Sequence, residues 1–268
     1  MRNVLDRLLG ILFFVLLVTS CTQDSPEPKP ETGSVEFNFN HEVDGLVLTP
    51  DTLMYENDAG NKYMVNEIQY FISDIYLIKS SGSKHYLNNW DDIHYIDTDI
   101  KETHALSLNE HIPAGTYEGI GFTFGINDEK NQSLMFVNPP ESFMFWPENL
   151  GGGYHYLKLN GKWIDQQSNL APFNFHLGIG QIYYSYPDSI KEFVHNDFSV
   201  HMLMEEVIII SDQLLEIDIH MNVNNWFRTP NEYDHDFWGG DIMQNQEAMS
   251  TATENGVDVF HYSIKGSK

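Results

Sequence analysis

Three histidines in short alternating runs carry the most direct chemistry in this sequence. His41 closes FNFNH (37–41), His176 lies in FNFHLG (173–178) and His220 lies in IDIHMNVNNWF (217–227). A neutral imidazole is a good ligand for copper and zinc, and a strand holds its side chain rigidly. A histidine that only satisfies a hydrogen bond fits the same pattern, so both readings stand for each residue. Asp218 precedes His220 by two positions, in one row of a strand and about 6–7 Å away. There its carboxylate could meet a metal or accept from the second ring nitrogen of His220. His155, inside GGGYHYLKLNGKW (151–163), is a further ligand candidate. The sequence has a single cysteine, and no CxxC, HExxH, nucleophile elbow or glycine-rich phosphate loop. Its methionines form no repeat and read as core filling. Carboxylates are too numerous to single out an acid–base pair, so no enzyme activity is expected.

The elements that must position these residues are strands. Val35, Phe37 and Phe39 alternate with Glu36, Asn38 and Asn40, and His41 continues the Val35 phase toward the core. In VNEIQYFISDIYLI (65–78) the apolar phase slips after Ser73-Asp74, which predicts a bulge there. Tyr117 to Ile126 reads as a strand, and residues 94–97 as a short one. Residues 155–161 and 173–177 read as two strands, with Gly151, Gly152 and Gly153 marking a tight approach before the first. In the second, His176 leaves on the side opposite Phe173 and Phe175. Leu215 to Val223 has the cleanest alternation. Residues 179–186 either continue the sheet or leave it, and 194–210 form one long strand or two. Asp241, with Gln244 three positions on, predicts a helix over 241–254, stopped by Asn255-Gly256. A last short strand follows. The expected fold class is mostly β, a β-sandwich-like domain with one short helix near the C-terminus.

The 268 residues carry a formal net charge of −25, with 39 acidic against 14 basic side chains. That balance repels nucleic acid and attracts cations. With 41% hydrophobic and 13% aromatic residues the chain can bury one substantial core. Arg2 and Arg7 flank the start of an apolar run, Leu8 to Val18, too short to span a bilayer and suited to a signal peptide. The run leads to Val18-Thr19-Ser20-Cys21, which resembles a bacterial lipobox, so Cys21 is the expected lipidation site and membrane anchor. The stretch TQDSPEPKPETGS that follows cannot bury a core, and an acidic tail there resembles the surface-export signal of Bacteroidetes lipoproteins. The expected organisation is a signal peptide over 1–20, a disordered tether over 21–33 and a β domain over 34–268. The expected location is the outer membrane or cell surface.

Several stretches in order resemble the copper-binding MbnP-like family: FNFNH (37–41), NEIQYFISDIYLI (66–78), AGTYEGIGFTFGIN (114–127), MFWPENLGGGYHYLKLNGKW (144–163), FNFHLG (173–178) and IDIHMNVNNWF (217–227). The resemblance covers about residues 34–262. It implies a secreted or lipid-anchored β protein that binds copper through histidines, with His41, His176 and His220 as the ligands at one ion. It also implies a tryptophan oxidised to kynurenine by a dihaem peroxidase-like partner. Trp146 is the candidate, expected close to the metal. WPENLGGGYHY departs from the family's usual W-x-W-x-x-GY-x-F form, and His155 inside it is atypical. The rival reading is a surface lipoprotein that binds a glycan or protein through Tyr233, Phe237 and Trp238, with Trp226 nearby, and holds no metal.

Overall fold

A computed structural model describes residues 31–87 and 93–265. Cys21, the signal peptide and most of the expected tether lie outside the described residues. The strands, in chain order, are β1 (Thr32–Val43), β2 (Leu46–Val47), β3 (Tyr55–Glu56), β4 (Lys62–Lys79), β5 (Lys84–Tyr86), β6 (Ile93–Asp97), β7 (Ala105–Pro113) and β8 (Gly115–Phe124). They continue with β9 (Leu157–Ile164), β10 (Leu170–Leu177), β11 (Gly180–Ser185), β12 (Ser189–Val194), β13 (Phe198–Ile209), β14 (Leu214–Asn222) and β15 (Phe260–Ile264). Two helices, α1 (His235–Trp238) and α2 (Gln246–Asn255), fall between β14 and β15. β1 begins two residues before the expected domain start.

Two sheets form the sandwich. In the first, β14 runs parallel to β1 on one side and pairs with β15 on its other side, while β2 and β7 flank the far edge of β1. In the second, the long β4 carries β9 and β8, which pair onward with β10 and β13. Strand alternation fixes which side chains meet between them. Tyr70 and Phe124 stack within the second sheet, and Phe122 and Phe124 reach across to Phe260 of β15 at 5.2 and 5.7 Å between ring centroids. Trp226, from the 3-10 turn after β14, packs on Phe124 at 5.2 Å.

The outer face of the second sheet is covered as well. Phe71, in the opposite phase to Tyr70, stacks on Phe136 at 5.3 Å and meets Tyr154. The segment between β8 and β9 therefore lies over that face and buries Met144, Trp146, Tyr154, His155 and Tyr156. Gly151, Gly152 and Gly153 all have positive φ, the conformation that makes glycine necessary in its approach. The bulge expected at Ser73-Asp74 is present: the β4–β8 register shifts between Ser73 and Tyr76, and Asp74 has φ 52°.

One open alternative is settled and three expectations change. Residues 179–186 leave the sheet and pair with β12 as a separate ribbon. His155 and Tyr156 precede β9 instead of alternating within it. The C-terminal helix starts at Gln246, capped by Asn245, whose side chain accepts from the Ala248 N–H; Asp241 instead accepts from the Met243 N–H in a local turn and bridges to Asn174. The aromatic loop is not an exposed surface, because Trp226 and Tyr233 are buried in the core and only Phe237 is well exposed.

Candidate metal centre

The alternation that buries Val35, Phe37 and Phe39 also turns His41 inward. The parallel register pairs it with Met221, a fully buried residue. Across the sandwich stands Tyr70, its ring 5.7 Å from that of His41. Beside it is His104, at 5.5 Å and 63°. The His41 Nε2 and the Tyr70 hydroxyl, on adjacent rings, are both buried without a hydrogen-bond partner among the described residues. An orphaned buried polar atom costs about 1–3 kcal/mol, so two neighbouring ones mark a place for a further polar species or an ion. Burial, and then His104, push the His41 pKa down to about 3. The ring is neutral at ordinary pH and keeps a lone pair.

His104 comes from a 3-10 turn, Lys101–His104, between β6 and β7. Thr103 pins the turn: its hydroxyl donates to the Ile100 carbonyl and accepts from the Asp97 N–H, while His94 Nε2 donates to the Thr103 carbonyl. His104 Nε2 donates to the Asp97 carbonyl at 2.9 Å. A carbonyl only accepts, so Nε2 carries a proton, and in the neutral ring the lone pair is on Nδ1. This is how a protein commonly orients a metal-binding imidazole. Two imidazoles about 2 Å from one ion have ring centres roughly 5–6 Å apart, as His41 and His104 do. A cavity of about 760 Å³ opens at this place, bordered by His41, His104, Val47 and Leu48. It continues around the end of β1 to Asn40, Asp218 and His220.

The sandwich does not bring His41, His176 and His220 to one point. His220 pairs in register with Asn40, not with His41, so it leaves the first sheet on its outer face. Its Nε2 is 2.9 Å from the Ser263 hydroxyl, and its Nδ1 is 3.7 Å from Glu42. Asp218 shares that outer face, but the carboxylate near His220 belongs to Glu42. His176 lies on the outer face of the second sheet, opposite Phe175, as its phase requires. It is 2.8 Å from the Asn160 side-chain oxygen through Nε2 and packs edge-on against His155 at 5.1 Å. His155 Nδ1 is 2.9 Å from the Met144 carbonyl. Burial pushes the His176 pKa down to about 4, with Lys158 adding to the effect, and the same two causes, with His176, lower that of His155. A lysine ammonium beside two imidazoles opposes binding of a cation there.

Trp146 belongs to this second place. It is fully buried, 4.6 Å from the His155 ring, and its indole N–H donates to the Leu150 carbonyl. The expectation that it neighbours the metal histidine of β1 is therefore corrected: the second sheet stands between them.

His104, Tyr70, Glu42 and His261 are the site residues that reasoning from sequence missed. His261 had a usable signal, since Phe260, Tyr262 and Ile264 alternate with it and turn it outward beside His220. His104 had none, because it sits in a turn outside any periodic run.

The fold has a counterpart. Among solved structures, MbnP from Methylosinus trichosporium matches with a TM-score of 0.57 at 13% identity, over 88% of this chain and 100% of that one. No curated protein matches the chain. The MbnP family model matches residues 32–250, and the chain belongs to the MbnP family.

Proposed function

We propose that this chain is a non-enzymatic copper-binding protein of the cell envelope, with the ion held by His41 and His104. The observation that carries the reading is the buried, partnerless Nε2 of His41 beside a second imidazole whose Nδ1 keeps its lone pair. The donor set fits copper in either oxidation state, since imidazole serves both and no thiolate competes. Bound copper would supply a one-electron centre or a cargo ion. The residues around it hold the two rings in place: Thr103 and the Asp97 carbonyl fix His104, and the strand phase of β1 fixes His41. Trp146 has no part in this reading.

Copper, rather than another metal that favours imidazole, rests on the family resemblance. Placement in the envelope rests on the Arg2 to Cys21 pattern. The test is competition with a Cu(I) chelator on the full chain and its variants. His41→Ala and His104→Ala should each weaken binding about tenfold or more, roughly 1.4 kcal/mol, while His176→Ala binds as the parent does. Parent-like affinity in both of the first two variants would overturn the assignment.

A further inference from the structure

Glu42, His220 and His261 stand together on the outer face of the first sheet, on three adjacent strands. His220 and His261 are directly paired in the β14–β15 ladder, and their rings are parallel, 10° apart in plane with centroids at 4.8 Å. Glu42 reaches both from β1: one carboxylate oxygen is 3.7 Å from His220 Nδ1 and the other 3.6 Å from His261 Nε2. One donor atom from each residue lies within 4.8 Å of the other two.

These separations decide what the group is built for. They exceed the 2.7–3.2 Å of an N–H···O hydrogen bond, so the carboxylate is hydrogen-bonded to neither ring. Three ligands each about 2 Å from one ion stand about 3–4 Å from one another. The two carboxylate–imidazole separations fall in that range, and the donor nitrogens of the two rings lie within 4.8 Å of each other. The orientation is fixed too: the Ser263 hydroxyl, 2.9 Å from His220 Nε2, occupies that nitrogen and leaves Nδ1 toward Glu42. Glu42 and His220 are largely shielded, at 16% and 22% side-chain exposure, whereas His261 is at 53%. An ion there would have two protected ligands, one at the rim and open positions toward water.

We infer that Glu42, His220 and His261 form a second metal site, for a borderline divalent ion of the zinc class. Two imidazoles and one carboxylate suit Zn(II), Co(II), Ni(II) or Cu(II). They are too few oxygens for calcium and lack the soft donors that favour Cu(I). The site is distinct from the His41–His104 pair, because strand alternation turns His41 inward and Glu42 outward on β1, with one cavity reaching both around the end of that strand. His220 thereby passes from the copper ligands expected from sequence to a different centre.

The experiment is Zn(II) binding to the full chain, by competition with a chromophoric chelator at pH 7.5, together with thermal melts with and without Zn(II). His261→Ala and Glu42→Gln should each weaken Zn(II) binding tenfold or more. Zinc should raise the Tm of the parent, as a ligand specific to the folded state does, but not that of His261→Ala. His261 is half-exposed, so the metal-free Tm of His261→Ala should match the parent and separate lost binding from lost fold. His41→Ala should retain the zinc affinity and the zinc-induced Tm shift. If His261→Ala binds Zn(II) like the parent, or if His41→Ala abolishes the binding, the site is not this one. Failure of the copper experiment would leave these outcomes untouched, so the two readings fail separately.

Discussion

Trp146 lies against Gly178 so closely that a methyl group on residue 178 would stand 2.6 Å from the indole ring. The glycine that ends FNFHLG is therefore a packing residue. It admits the tryptophan of MFW onto the sheet face that His155 and His176 share. Gly178→Ala must displace a fully buried ring in a close-packed layer, at a cost of about 1–3 kcal/mol. Urea unfolding should show a midpoint lowered accordingly. An unchanged midpoint would mean that the indole can shift freely, and that the motif has some other reason for its glycine.

Much of the fold was legible because strand signals are local. β1, β14 and the bulge in β4 follow from side chains two apart, and the bulge from a single slip of phase. The same alternation already separated the site residues: His41 shares the phase of the phenylalanines in FNFNH, whereas His176 and His220 oppose their apolar neighbours. Expecting all three at one ion set the family resemblance above that local signal. Two things were not legible. Nothing in the pattern says that residues 127–156 cover the outer face of the second sheet, which is why His176 is outward by phase and yet packed. Nor does a period reach His104, which is placed by hydrogen bonds of a 3-10 turn. The helix start was misread because Asp241 has the residue type of a cap but spends its carboxylate on a local turn.

Arg228 ties the turn after β1, whose Gly45 borders the cavity beside His41, to the segment that follows β14. Its guanidinium donates to both carboxylate oxygens of Asp44 at 3.0 and 3.2 Å and, through Nε, to Asp58. Asp44 and Gly45, at φ 50° and 81°, form the tight turn from β1 to β2. Burial raises the Asp44 pKa, but hydrogen bonds from Arg228, Asn224 and Asn222 outweigh it and hold the carboxyl below its ordinary range. Arg228→Ala should cost about 1 kcal/mol, since the pair is part-exposed and screened. Arg228→Lys should recover only part of that, because an ammonium cannot make the paired contact. Equal stability of all three proteins in urea would show that the clasp contributes nothing.

The single cysteine gives a test of location. If Cys21 carries lipid, as its place after Val18-Thr19-Ser20 suggests, the parent should partition into detergent and Cys21→Ala should stay in the aqueous phase or remain unprocessed. Identical partitioning of the two would refute the anchor while leaving both proposed metal sites untouched.

The buried histidines make a pH prediction whose sign follows from their environment. His235 is 1% exposed, stacked on Phe173 at 4.5 Å and on Trp163 at 5.6 Å, and its Nε2 has no partner among the described residues. Burial pushes its pKa down to about 3, against a small opposite pull from Asp234. In the unfolded chain the ring titrates near 6.5. Between those values the unfolded state binds a proton that the folded state refuses. Stability from this group is therefore complete above about pH 6.5 and falls as the pH drops toward 3, by about 1.4 kcal/mol per pH unit. His94 and His176, both lowered to about 4 chiefly by burial, act in the same direction. His235→Phe keeps the aromatic stack and removes one such proton. Whatever its stability at pH 7.5, the variant should lose about 2 kcal/mol less than the parent between pH 7.5 and pH 5, as read from urea midpoints at the two values. Parallel losses in parent and variant would mean that His235 takes up its proton in the folded state as readily as in the unfolded one, and that the aromatic cage does not exclude charge.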